Sequence, residues 1–362
     1  MKICFLGPAS SAHIEKWSKY FVANGHEVSV ISFVPGDIAG ATVYCIDTDV
    51  KGHSSDLKKI GYLFKYRRIQ ECVKKINPDI ISAHYATSYG AVAALAGLKN
   101  YVLSLWGSDI YDFPRKSKVH RLLLQYSLKR ATYIFSTSKA MAQEAGKYTN
   151  KQIEITPFGV DTELFSPEKR KRNDHDFVIG TVKSLSKKYG IDYLIKAVAI
   201  FRKKYPEIPI QLRIAGKGSG EDELRRLAVI EGVSDVTTWL GFISQEQAAF
   251  EWANFDVAVI PSISESFGVS AVEAQACCCP VIISDEPGLM EATKPNVTSV
   301  VVPRQNAEAI SDAIYDLYLD RNKRVQMGRA GRRFVEENYE YLRCFGNIED
   351  LFITIKKTNG TK

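Results

Sequence analysis

The sequence predicts an α/β protein built as two doubly wound parallel sheets, one after the other, facing each other across a cleft. Three observations carry this reading. Short β-rich runs alternate with amphipathic helical stretches along nearly the whole chain, a pattern that requires parallel strands joined by crossovers. The alternation breaks once, at SPEKRKRNDHD (residues 166–176), where eight of eleven residues are charged or histidine and no side chain is apolar, the mark of a linker. The length of 362 residues then allows each half its own core.

Taken in order, the first half reads KICFL, a helix over about 12–24, EVSVISF, a long basic helix over about 56–76, and DIISA. It continues through AVAALAGL, YVLSL, a helix over about 117–129, and TYIFS, so that residues 1–165 form one unit. After the linker come FVIGTV, a helix from Asp192, QLRIAG, a helix from Glu221, VTTWL, a helix from Gln245, VAVI, a helix from Gly268, and PVIIS. These define a second unit over 177–339, with a last helix at about 340–357 beyond it. In open sheets of this kind ligands bind in the crevice at the carboxyl ends of the strands.

Composition removes several function classes. Apolar residues make up 45% and charged residues 25%, an ordinary globular balance that excludes disordered and collagen-like chains. Seven cysteines, at 4, 45, 72, 277, 278, 279 and 344, contain no C-x-x-C pair, so neither a disulfide framework nor a zinc site is indicated and a reducing compartment is expected. The start MKICFLGPAS is too short for the apolar region of a signal peptide, and no run approaches 18 apolar residues, so a cytoplasmic protein is expected. Lys and Arg number 48 against 41 Asp and Glu, an excess of +7 whose placement matters more than its size. No basic stripe with interleaved aromatics points to nucleic acid, and GPASSA holds one glycine where a nicotinamide-binding G-x-G-x-x-G would stand. Asp47-Thr48-Asp49 matches a D-x-D metal motif but reads as a turn in the first unit, so no metal is expected.

The densest chemical signal is PSISESFGVSAVEAQACCCPVIIS, which follows the strand VAVI and places Glu265 eight residues before Glu273. With Gly268 opening a helix, the amides of Phe267, Gly268 and Val269 would present free N–H groups and a positive dipole end to an anion. Glu273, inside that helix, is placed to accept hydrogen bonds from paired hydroxyls such as those of a ribose.

With its flanking Pro261, Gly268 and Pro280, this segment resembles the donor-binding motif of the family-four glycosyltransferases, whose fold of two Rossmann-like domains is called GT-B. The resemblance extends to GHEVSV, DIISAHYATSYG, SLWGSD, PFGVDTELFSP, GTVKSLSKKYGID and AGKGSGEDELRRLA. It implies that Glu273 binds the nucleotide ribose, that Glu265 binds the donor sugar, and that the amides from Phe267 to Val269 lie near the diphosphate. It implies the same diphosphate as the partner of Lys183 and Lys188, where Lys183 stands in place of the commoner Arg and lacks its bidentate fork. Gly216 and Gly218 resemble the family's loop beside the nucleotide base.

On the acceptor side the chain departs from the family. Gly7 follows the first strand, where backbone can approach a ligand closely, and is counted with the donor-binding set, but the glycines that usually follow are replaced by SSAHIEKW, leaving Ser10, Ser11 and His13 for side-chain contacts. His84, at the end of DIISA, is the better ligand candidate and is counted with the catalytic set. In SLWGSD the position of a frequent family histidine is Trp106, and an indole accepts neither a proton nor a hydrogen bond, so Trp106 and Asp109 are left to shape the acceptor side. The CCC run at 277–279, where the family has Gly near Cys278, reads as tight helix packing.

The resemblance implies a retaining glycosyltransferase of hexosyltransferase type. Its donor would be a UDP- or GDP-linked sugar, its acceptor a glycan or lipid-linked hydroxyl in surface polysaccharide or glycoconjugate assembly, and it would use no cofactor beyond the donor. Two alternatives are a sugar-nucleotide epimerase of similar fold and a non-catalytic sugar-nucleotide-binding protein. One surface adds to this. DLKKIGYLFKYRRIQECVKK (residues 56–75) carries seven Lys/Arg against two acidic residues, with Tyr62, Tyr66, Ile69, Val73 and Ile76 on one face and Leu57, Ile60 and Phe64 opposite, bordered by Arg67, Arg68 and Lys75. Such a helix suits an anionic membrane surface and a peripheral enzyme on the inner leaflet.

Overall fold

The computed structural model describes residues 1–46, 60–171 and 176–360; the Asp47-Thr48-Asp49 turn and Leu57 fall outside the described residues. The chain divides into two compact units, Met1–Phe158 with Leu342–Lys362, and Gly159–Tyr341.

In the first unit the chain runs through β1 (Lys2–Leu6), α1 (Ala12–Ala23), β2 (Glu27–Ser32), β3 (Thr42–Cys45) and a 3-10 turn at Ile60–Lys65 that passes into α2 (Tyr66–Ile76). Next come β4 (Ile80–His84), a π turn at Tyr85–Tyr89, α3 (Gly90–Leu95), β5 (Val102–Leu105), α4 (Ser108–Tyr111), α5 (Lys118–Arg130), β6 (Tyr133–Ser136), α6 (Lys139–Ala145) and β7 (Ile153–Ile155). The strands lie in the order β3-β2-β1-β4-β5-β6-β7, and every pair is parallel. With helices over both faces, β1 is apolar after Lys2, and Ile3 to Leu6 are fully buried. The helices show the matching period: Ile14, Trp17, Ser18 and Phe21 form the buried stripe of α1.

The second unit repeats the plan with β8 (Phe177–Val182), α7 (Ile191–Lys204), β9 (Ile210–Ala215), α8 (Glu221–Ile230), β10 (Thr237–Gly241), α9 (Gln245–Asn254) and β11 (Val257–Ile260). It closes with α10 (Val269–Ala276), β12 (Val281–Ser284), α11 (Pro287–Ala292), β13 (Ser299–Val302), α12 (Ala307–Leu319) and α13 (Arg321–Asn338). Its parallel order is β10-β9-β8-β11-β12-β13, so the chain reverses direction beside β8 and the loops after β8 and β11 become neighbours.

Three boundaries differ from the sequence reading. The first unit ends at Phe158 rather than at 165, because the next residues are tied into the second: Val160 N–H donates to the Tyr339 carbonyl at 2.8 Å, and Arg332 donates to the carbonyls of Thr162 (2.9 Å) and Phe165 (2.7 Å). The charged stretch is not a free linker in its described part, since Arg170 pairs with Asp256 at 3.2 Å and Lys171 N–H donates to Asn254 at 2.9 Å. Residues 60–65 are a 3-10 turn instead of the first turns of one long α-helix.

The last helix, α14 (Tyr341–Gly360), belongs from Leu342 onward to the first unit. Phe345 meets Trp17 with ring centroids 5.5 Å apart, Phe352 stacks on Phe21 at 5.4 Å, and Glu349 accepts from His26 at 2.7 Å. After α10, Cys277 and Cys279 are buried and Cys278 adopts φ +56, a left-handed conformation that Gly fills without strain. The Cys278 carbonyl lies against Gly328 of α13, where any side chain would collide with it.

Candidate functional site

Lys183 is the first residue after β8, and its backbone is held by two glycines. A Cβ on Gly216 (φ +136) would collide with the Lys183 carbonyl, and one on Gly218 with the backbone of Leu185. Leu185 N–H in turn donates to the Lys217 carbonyl at 3.0 Å. Gly216 and Gly218 therefore shape the loop that carries the first lysine. Lys188 lies in the short turn Lys187–Tyr189, and its carbonyl accepts from Ile263 N–H (2.8 Å) and Ser264 N–H (3.2 Å) of the loop after β11. Gly190, at φ +64, closes that turn directly on the Pro261 carbonyl. The two loops at the switch point are thus zipped together by backbone.

Glu265 sits in the second of these loops and is 8% exposed. Lys183 Nζ donates to its Oε2 at 2.5 Å, and Ser262 Oγ donates to the same oxygen at 3.4 Å. The Tyr189 ring faces both cations, with Lys183 Nζ 4.5 Å and Lys188 Nζ 5.3 Å from its centroid. The Phe267 ring is buried against Tyr339, at 5.1 Å between centroids, which leaves its backbone as the part open to chemistry. Gly268 is the N-cap of α10 at φ +91, and α10 begins at Val269, where the first amides have no acceptor within the helix. Glu273 lies in the second turn and accepts from Trp252 Nε1 at 3.3 Å. Lys183, Lys188 and Glu265 are thereby gathered on adjoining loops before the positive end of α10, which carries Glu273 in its second turn, a setting suited to an anion and hydroxyl groups. Trp252 is not legible in the sequence as a site residue, because it comes from a segment without a motif of its own, and Tyr189, though inside GTVKSLSKKYGID, is not singled out there.

In the first unit the structure separates contact candidates from packing. Gly7 is buried, and a Cβ there would collide with Ile14, so this glycine is required by helix packing. His84 is fully buried, walled by Trp17 (4.9 Å), Trp106 (5.0 Å) and Phe5 (5.6 Å), with Nδ1 lacking a partner. Burial, together with the nearby His13, lowers its pKa to about 3. That placement corrects the expectation of a catalytic, ligand-facing histidine: the ring is neutral and enclosed. Asp109 is also a structural group, 1% exposed, accepting from the backbone N–H groups of Ala86 (2.9 Å), Gly107 (2.8 Å) and Trp106 (3.2 Å). It locks two loops together instead of presenting a carboxylate to an acceptor. His13 remains partly exposed, stacked on Phe158 at 4.3 Å and edge-on to Trp106 at 5.3 Å, while the Trp106 indole N–H is buried without a partner. Phe158 is the member of this cluster that the motif reading passed over.

Both histidines carry a pH signature. Burial lowers His13 to about 4 and His84 to about 3, so between pH 6.5 and about 4 the unfolded chain takes up protons that the folded chain refuses. Stability is therefore complete above pH 6.5 and falls on acidification. Melting temperatures of the wild type and of His84→Phe across this range should converge as the pH drops, with the wild type losing more; parallel curves would mean that His84 titrates normally.

Among the described residues no group of three or more His, Cys, Asp or Glu is arranged to hold a metal ion, and no helix is long and apolar enough to cross a membrane.

Comparison with known proteins agrees with this geometry. Residues 163–334 match the model of glycosyl transferases group 1, and residues 2–138 match glycosyl transferase 4-like. A D-inositol 3-phosphate glycosyltransferase of Pseudarthrobacter chlorophenolicus is 34% identical over 280 residues, covering 70% of this chain. The chain spans 65% of that relative's length. Among solved structures, sucrose-phosphate synthase from Thermosynechococcus elongatus superposes with a TM-score of 0.85 at 18% identity, covering 98% of this chain and 99% of that one. Anabaena HepE, in complex with UDP and glucose, superposes at 0.80 and 18% identity, over 97% and 99% of the two chains. The two parallel sheets, the switch-point loops and these matches together show that the chain belongs to the group 1 glycosyltransferases and has the GT-B fold.

Proposed function

We propose that the protein transfers a hexose from a UDP- or GDP-linked donor to an acceptor hydroxyl with retention of anomeric configuration, using no metal or cofactor besides the donor. The observation that carries this reading is that Lys183, Lys188 and Glu265 lie on loops zipped together before α10, the helix that carries Glu273. The α10 amides and the two lysines take the diphosphate, Glu273 takes the ribose hydroxyls, and Glu265 takes the sugar. As the glycosidic bond breaks, charge builds on the departing phosphate, and fixed cations and amides stabilise it without reorganising. The leaving phosphate oxygen receives the acceptor proton on the same face, so the protein supplies position and charge more than acid or base groups. The enclosure of His84 and Asp109 fits such a scheme, because neither is called upon.

Thermal-shift titration with a panel of nucleotide sugars tests the donor. One base should raise the melting temperature, and Glu273→Ala should weaken that donor about 10- to 100-fold, the loss expected for a charged hydrogen-bond pair. Release of free nucleotide only when acceptor is present separates transfer from epimerisation. No shift with any nucleotide sugar would overturn the reading.

The acceptor we propose is a glycan or lipid-linked hydroxyl, used in surface polysaccharide or glycoconjugate assembly by a protein peripheral to the cytoplasmic leaflet. Support comes from α2 and the turn before it, where Tyr62, Ile69 and Ile76 are buried while Phe64 is 77% exposed beside the exposed Arg67, Arg68, Lys74 and Lys75. Each basic residue near an anionic surface contributes about 1 kcal/mol. Sedimentation with phosphatidylglycerol vesicles should show binding that Phe64→Ser with Arg67→Glu and Arg68→Glu abolishes. Binding that persists in this triple variant would rule out the helix as the anchor.

A further inference from the structure

Glu286 occupies the N-cap of α11, yet its side chain makes no capping bond to its own helix. It is 5% exposed and turns back toward the loop that carries Glu265. Oε1 accepts from the Glu265 backbone N–H at 3.3 Å, and Oε2 accepts from Arg304 Nη1 at 2.6 Å. Arg304 is itself fixed, since its Nε donates to Asp285 at 3.0 Å and its backbone N–H donates to the same carboxylate at 2.9 Å. On the other side of the loop Gly288 fits directly beneath the Glu265 carbonyl, with no room for a Cβ.

The peptide units on both sides of Glu265 are therefore clamped, one by a carboxylate and one by the first turn of a helix. Burying a carboxylate is costly, and desolvation does raise the Glu286 pKa. Such a group persists where it has fixed partners, and here those partners are Arg304 and the Glu265 N–H. A neutral cap such as Ser at this position would serve α11 better than Glu does. The arrangement serves the Glu265 loop at the expense of the helix it begins.

We infer that Glu286, oriented by Arg304, is a positioning residue that sets the Glu265 backbone and so determines recognition of the donor sugar, separately from recognition of the nucleotide. This rests on the donor reading above. The Glu286 side chain is bonded to the Glu265 N–H and to Arg304, so its influence enters through the sugar-binding carboxylate. A shift of 1 Å in a positioned group is enough to cost about two orders of magnitude in rate.

The test is calorimetric binding of UDP, UDP-glucose, GDP and GDP-mannose to the wild type, Glu286→Ala, Glu286→Gln and Arg304→Met, alongside turnover of whichever sugar nucleotide binds. In Glu286→Ala the free nucleotide should bind within about twofold of wild type, while the sugar nucleotide binds and turns over about tenfold less well. Glu286→Gln keeps an oxygen for the Glu265 N–H and should recover most of the loss, and Arg304→Met should fall between. Equal losses for nucleotide and sugar nucleotide, or no loss for either, would overturn the inference. Should Glu286→Ala fail to fold, Arg304→Met decides, because it alters a half-exposed side chain and leaves the buried one in place. A wild type that binds none of the four overturns the donor reading, and a wild type that binds with no sugar-specific loss in the variants overturns only the positioning role.

Discussion

Lys188→Ala is expected to lower turnover about 10²- to 10³-fold while changing donor affinity much less, the loss seen when one preorganised charge donor is removed from a transition state. The reason lies in where this lysine is anchored. Its carbonyl is held by Ile263 and Ser264, and Gly190 fixes the turn that follows, so truncating the side chain leaves the loop in place and removes the cation alone. Ground-state binding keeps the α10 amides and Glu273. In the proposed reaction the departing phosphate, whose charge grows as the bond breaks, would lose one fixed cation. Steady-state kinetics on the variant decides this, and unchanged turnover would sink the assignment of Lys188.

Lys183→Met should destabilise the second unit by about 3–5 kcal/mol, because it strands a buried carboxylate. Lys183 and Glu265 side chains are only 11% and 9% exposed, and the pair is 2.5 Å apart. Removing the cation leaves Glu265 with the Ser262 hydroxyl and forces it either to remain charged without compensation or to take up a proton. Urea unfolding of Lys183→Met, Glu265→Gln and the double variant measures the coupling directly. The double variant should recover most of the loss, and strictly additive losses would show that the two groups do not depend on each other. The Lys183 ammonium bonds Glu265 and faces the Tyr189 ring at 4.5 Å.

The acceptor side shows where motif reading misleads. His84 and Asp109 occupy strand-end and loop positions where ligands bind in open α/β sheets, and residue type with position made both look functional. Their neighbours decide otherwise: three aromatic rings, Phe5, Trp17 and Trp106, enclose His84, and Asp109 accepts from three backbone amides, of which Ala86 is 23 residues away. Local sequence carries no record of such enclosure. Likewise Trp252 reaches Glu273 from 21 residues before it and Glu286 reaches the Glu265 N–H from 21 residues after it, with no motif linking them.

What the sequence determined by itself follows from local rules. Alternating β-rich and amphipathic runs dictate two parallel sheets, because backbone groups must pair and apolar stripes must be covered within each crossover. The E-x7-E segment, with Gly268 at a left-handed N-cap, dictates a helix start with free amides at Val269 onward, since only glycine adopts that conformation without strain. Tertiary structure decided what depends on distance in the chain. It moved the boundary to Phe158 by tying residues 159–165 to the helix before α14, gave Glu265 two partners in Lys183 and Glu286, and enclosed His84. Burial and ion pairing are properties of the packed neighbourhood, and a carboxylate or an imidazole acquires its charge state and its role only when that neighbourhood has formed.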